Sequence, residues 1–137
     1  MAVGMYHMMY TWDLEAAESS TQRAIDLNPS LALAHYDLGW LYELLGPEWE
    51  EESLAEAERA RDLNPFNPVF IAGLAWQYAD ACRFDDALST AREAIRLHPD
   101  HPYSWMALGI VQTELNGVSD NPIVDVESGR IVHGGNF

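Results

Sequence analysis

The sequence predicts an all-α fold, a solenoid of antiparallel helix pairs with about three complete units and part of a fourth, and three observations carry that prediction. One six-residue phrase recurs as Ala24-Ile-Asp-Leu-Asn-Pro29, Ala60-Arg-Asp-Leu-Asn-Pro65 and Ala94-Ile-Arg-Leu-His-Pro99, with its prolines 36 and then 34 residues apart. A period near 34 residues is the length of one stacked helix pair. Between the phrases, apolar residues return at three- and four-residue steps, and proline or glycine closes each run.

The elements follow in order. Seven helices are expected, a short one near the start and six more. The stretches 13–27 and 49–63 share the outline of the clearest case, where Phe84, Ala87, Leu88, Ala91, Ala94 and Ile95 line one helical face and Asp85, Asp86, Arg92, Glu93 and Arg96 the other. The alternate helices are Leu31–Leu45, Pro68–Ala81 and Pro102–Asn116. Ser30 is the expected N-cap of the first of these, and Pro68 and Pro102 take first helical positions. Pro29, Pro65 and Pro99 stop the preceding helices, and Gly46-Pro47 stops the helix after Ser30. Small residues such as Ala17, Ala57, Ala60, Ala87 and Ala94 allow close packing of neighbouring helices. The helical domain spans 1–117. In the tail, 118–137, the alternation of Ile123, Val124, Val126, Ile131 and Val132 around Ser128-Gly129 reads as a small β-hairpin or as disorder.

These phrases resemble the tetratricopeptide repeat family over roughly residues 5–116. His35…Leu38-Gly39…Tyr42…Ala60…Pro65 matches one unit, with two extra residues in the turn at Gly46–Glu51. Ile71…Leu74-Ala75…Tyr78…Phe84…Ala87…Ala94…Pro99 matches the next, and Trp105…Leu108-Gly109 opens another. The resemblance implies a right-handed solenoid and a non-catalytic protein-interaction module, with the first helix of each pair lining a concave groove. It assigns to that groove Leu33, Tyr36, Trp40 and Glu43, then Val69, Ala72, Trp76 and Asp80, then Tyr103, Met106, Ile110 and Glu114. Such a surface is aromatic and acidic and suits a protein or peptide segment with apolar anchors beside Lys or Arg. The same aromatics at helical spacing are equally the residues that stiffen a stack. The lysine, arginine and asparagine clamp that some members use for chaperone C-termini has no counterpart at Tyr36, Trp40, Ala72, Trp76, Met106 or Ile110. A finer similarity joins Tyr10-Thr-Trp-Asp-Leu-Glu-Ala-Ala17 and Asn64-Pro-Phe-Asn-Pro-Val69 to the repeat region of bacterial transcriptional regulators and adenylate-cyclase-like signalling proteins. It implies, as an alternative, a regulatory or oligomerising fragment of a larger protein.

Composition narrows the partner. Twenty-two carboxylates face seven basic residues, all arginine, for a formal net charge of −15. That field repels phosphate backbones and anionic lipid, so neither nucleic acid nor a membrane surface is the expected partner. No run approaches the roughly 18 consecutive apolar residues of a membrane span. The apolar start lacks a basic n-region, and the single cysteine allows no internal disulfide, so the expected setting is cytoplasmic.

Candidate chemistry is sparse. His98-Pro-Asp-His101 has the donor types of a divalent-metal site, but its prolines place it in an interhelical turn. His7, His35 and His133 are isolated, and His35 fills a helix-pair packing position. Cys82, beside Arg83, reads as a small packed residue with no histidine near it in sequence to act as a base. Glu48, Glu50, Glu51 and Glu52 fall at a helix start, where negative charge is favoured. Phosphate loops, Ser/His/Asp sets and cofactor motifs are lacking, so neither an enzyme nor a cofactor is expected. The last unit lacks its second helix, which would leave Trp105, Leu108, Val111 and Leu115 as an open face unless the tail folds back over it, another chain covers it or the sequence is part of a longer protein; of these, self-association through that end is the expectation.

Overall fold

The computed structural model describes residues 13–118, 122–124 and 131–133, and the short helix expected before Asp13 lies outside them. Six helices follow: α1 (Leu14–Leu27), α2 (Ala32–Leu45), α3 (Glu50–Leu63), α4 (Pro68–Asp80), α5 (Phe84–Leu97) and α6 (Pro102–Val118). The architecture is the all-α helical repeat that the sequence predicts. The two extra residues after α2 wind into one 3-10 turn, Pro47–Trp49, before α3. Two short strands, β1 (Pro122–Val124) and β2 (Ile131–His133), pair antiparallel with Ile123 opposite Val132. The chain divides into two compact units, residues 1–70 and 71–137.

In the first unit α2 has α1 on one flank and α3 on the other. Ala17, Leu38 and Leu41 form a buried cluster, with Leu14, Ile25 and Tyr42 packed against it. The Asp13 carboxylate caps α1 by accepting from the Ala16 N–H at 2.9 Å. Ser30 does not cap α2. Its N–H donates to Asn28 Oδ1 at 3.2 Å, and the cap position falls to Leu31, which offers no side-chain bond. The Asn28 carboxamide organises the turn itself, so the helix starts one residue later than the serine suggests. The glutamates of the next turn behave as expected, with Glu50, Glu51 and Glu52 in the first turn of α3. Close approach of α2 and α3 centres on Gly39, which is buried, and the Ser53 hydroxyl donates to its carbonyl at 2.8 Å. Tyr42 stacks on Trp49 with ring centroids 5.3 Å apart.

In the second unit the alanine face of α5 is closed completely: Ala87, Ala91 and Ala94 are 0 % exposed. α5 packs on α6, where the Ser104 hydroxyl donates to the Ala94 carbonyl at 3.1 Å. β1 lies against α6 as well. With these neighbours Leu108, Val111 and Leu115 are buried, so they do not form the open face that an uncovered end would leave; of the four residues named, only Trp105 is exposed.

Cys82 also departs from its reading. It is exposed, with φ at +58°, and is the residue that ends α4. Its N–H donates to the Ala79 carbonyl at 3.0 Å and the Arg83 N–H to the Tyr78 carbonyl at 2.8 Å. This pair of bonds is the Schellman arrangement, whose left-handed position usually holds glycine. Arg83 then folds back over the Tyr78 ring, 4.8 Å from its centroid, and pairs with Asp86 at 2.7 Å.

Candidate partner-binding surfaces

One bond recurs across the repeat and fixes its register. In α2 the His35 Nε2–H donates to the Pro29 carbonyl at 2.9 Å, and in α6 the Trp105 Nε1–H donates to the Pro99 carbonyl at 2.7 Å. Each ring sits six residues after the proline that closes the preceding helix. His35 therefore fills the packing position expected of it, and its Nδ1 faces Glu56 Oε2 of α3 at 2.5 Å. The Pro29 carbonyl can only accept, so Nε2 is the nitrogen that carries the proton of that bond.

In the first unit the steps of three, four and three residues from Leu33 to Glu43 place four side chains on one face of α2. Leu33 is 44 % exposed, and Tyr36, Trp40 and Glu43 are half-buried. Tyr36 meets Trp40 edge-on at 6.2 Å and packs against Phe70 at 5.1 Å. The aromatic row is thus a braced surface, and two of its rings still reach solvent. Beside it opens a cleft of about 520 Å³ whose apolar wall includes Leu31, Leu33, Leu63, Val69 and Phe70. Asn67 Oδ1 accepts from the Val69 N–H at 2.9 Å, which ties down the start of α4 at the cleft edge.

Phe70 is not among the residues that the sequence singles out. The available signal is its place two residues after a helix-starting proline, but a phenylalanine there reads equally as core. Asp37 escapes the sequence reading too. It is buried on α2, both carboxylate oxygens lack a hydrogen-bond partner among the described residues, and burial raises its pKa to about 7.

In the second unit Trp76 is half-buried and Asp80 exposed on α4, while Ala72 is only 4 % exposed and so is packing rather than contact surface. On α6, Tyr103 and Met106 are exposed at 44 % and 42 %, and Ile110 and Glu114 are half-buried. His101 stacks on one side of Tyr103 at 5.5 Å and accepts the Tyr103 N–H on Nδ1 at 3.3 Å. That histidine caps the start of α6, where Pro102 has no N–H to offer. The His98 and His101 rings are 6.5 Å apart, and among the described residues no three His, Cys, Asp or Glu side chains gather as a metal site. Among the same residues no helix is long and apolar enough to cross a membrane.

Paired helices closed by small residues, with aromatic rings left half-open on the first helix of a pair, define a helical-repeat architecture. Residues 73–117 match the family model of the tetratricopeptide repeat, and the phrase that closes a helix in that stretch stands in register at 24–29 and 60–65 as well. Repeats of this family generally mediate protein–protein interaction and are typically non-catalytic.

Proposed function

We propose that the chain holds a peptide or protein segment against the faces of its first helices, with Tyr36, Trp40, Trp76, Tyr103 and Met106 as apolar contacts and Glu43, Asp80 and Glu114 as acidic ones. The observation that carries this reading is the row Leu33, Tyr36 and Trp40. Tyr36 is fixed between Trp40 and Phe70, next to a cleft with an apolar wall. Rigid aromatics lose little conformational entropy on binding and are the side chains that dominate interface energies. The surplus of fifteen negative charges selects a segment carrying Lys or Arg beside its anchors.

Selection from a random peptide display library on the full chain tests this. The expected winners carry aromatic or aliphatic anchors flanked by basic residues. Their affinity falls on raising salt, and falls at least about tenfold for Trp76→Ala or Trp40→Ala while the helical circular dichroism is kept. Enrichment of acidic peptides, or binding indifferent to both tryptophans, would overturn the proposal.

A further inference from the structure

A second surface lies on α6, away from the residues assigned to partner contact above. The shared proline-carbonyl bond makes α6 the counterpart of α2, so that Trp105, Leu108, Gly109 and Gln112 stand where His35, Leu38, Gly39 and Tyr42 stand. In α2 that flank is covered by α3. His35 is 7 % exposed, Gly39 is buried, and Ser53 bonds to the Gly39 carbonyl. In α6 one flank packs on α5 and β1 also lies against the helix, which leaves Leu108 buried, but among the described residues no helix stands over Trp105 and Gly109 as α3 stands over Gly39. Trp105 is 44 % exposed, and a Cβ built on Gly109 meets no atom within 4 Å.

An exposed glycine inside a helix is unfavourable against alanine, because it orders a freer backbone and packs no side chain. At Gly39 that cost is offset by the close approach of a neighbouring helix, whereas at Gly109 nothing within the described chain offsets it. We propose that the Trp105–Gly109 flank of α6 is a docking surface for one amphipathic helix of a different protein, with small residues over Gly109 and a basic outer face. The chain itself supplies the template. α3 presents Ser53, Ala57 and Ala60, and α5 presents Ala87, Ala91 and Ala94, so small side chains at four- and then three-residue steps are what this register receives. The incoming helix continues the interface that α5 and α6 already make. Charge chooses between occupants: a second copy brings another fifteen negative charges, whereas a basic helix is attracted.

The probe is a synthetic peptide of residues 83–98 carrying Asp85→Lys, Asp86→Lys and Glu93→Lys, titrated into the full chain by calorimetry and by the indole ¹⁵N resonance of Trp105. Saturable binding that shifts this resonance is expected. Gly109→Leu, which the open space accommodates, and Trp105→Ala each weaken it at least about tenfold, and Leu27→Ala, at an exposed position of α1 outside both surfaces, leaves it unchanged. In the peptide, Ala91→Leu abolishes the fit. No binding, no shift of the Trp105 resonance on binding, or affinity unchanged by Gly109→Leu would overturn the proposal. Equal affinity for the unmodified acidic sequence, or a dimer in sedimentation that Gly109→Leu dissolves, would assign the surface to a second copy instead and overturn it as well.

Discussion

Replacing Asp37 with asparagine should change how stability depends on pH more than any other single substitution in this chain. The carboxyl is 4 % exposed, neither oxygen has a hydrogen-bond partner among the described residues, and burial raises its pKa from 3.8 to about 7. The folded form thus holds a proton that the unfolded chain releases near pH 4. Below that pH both states are protonated, and the native state bears no penalty. Between pH 4 and 7 the unfolded state alone ionises, and wild-type stability falls by about 1.4 kcal/mol per pH unit. Above pH 7 the loss levels off at about 4 kcal/mol, a substantial share of the ~5–15 kcal/mol that holds a typical domain together. The asparagine variant has no ionisation to resist. Urea unfolding followed by circular dichroism from pH 4.5 to 8.5 should show Asp37→Asn gaining on wild type as pH rises, with the gap constant beyond about pH 8. Parallel curves for the two proteins would refute the reasoning, because they would mean that Asp37 ionises as readily folded as unfolded.

Three further substitutions test the local physics. Cys82→Gly should stabilise the chain by about 1 kcal/mol, read as a raised urea midpoint, because Cys82 occupies a left-handed conformation at φ +58° that costs a side chain and not glycine. Gly46→Ala should destabilise by about 1–2 kcal/mol, since φ is +131° and the new Cβ would lie 2.6 Å from Glu48 Oε2; adding Glu48→Ala should restore only the steric part. His35→Ala should cost about 2 kcal/mol in the same unfolding assay by stranding the Pro29 carbonyl and the Glu56 carboxylate, whereas His101→Ala, at an exposed cap, should cost well under half of that.

The helices were legible because the signals that place them are local and repeated. A proline at 29, 65 and 99 cannot be helical interior, and the alanine face of 84–97 has one periodicity only. What was not legible depends on choices between equivalent local solutions. Asn28 and Ser30 both can organise the turn before α2, and the structure uses Asn28. Cys82 stands where the family resemblance puts a turn residue, but its exposure and its left-handed φ are set by the backbone and not by its small size. Asp37 looks like any surface carboxylate on a helix, because burial is a property of what packs around it. The candidate site divides in the same way. The family resemblance assigned Tyr36, Trp40, Trp76, Tyr103 and Met106, but the bracing of Tyr36 by Phe70 and the burial of Ala72 are tertiary facts. Likewise Gly39 and Gly109 occupy one position of the same phrase, and only their surroundings distinguish a filled flank from an open one.

Hydrogen exchange with mass spectrometry, on the full chain with and without a display-selected basic peptide, tests the central claim most directly. The account predicts slowed exchange confined to segments 31–43, 69–80 and 103–114, the helices that carry the aromatic and acidic contacts. Protection confined to α1, α3 or α5, or none at saturating peptide, would contradict it.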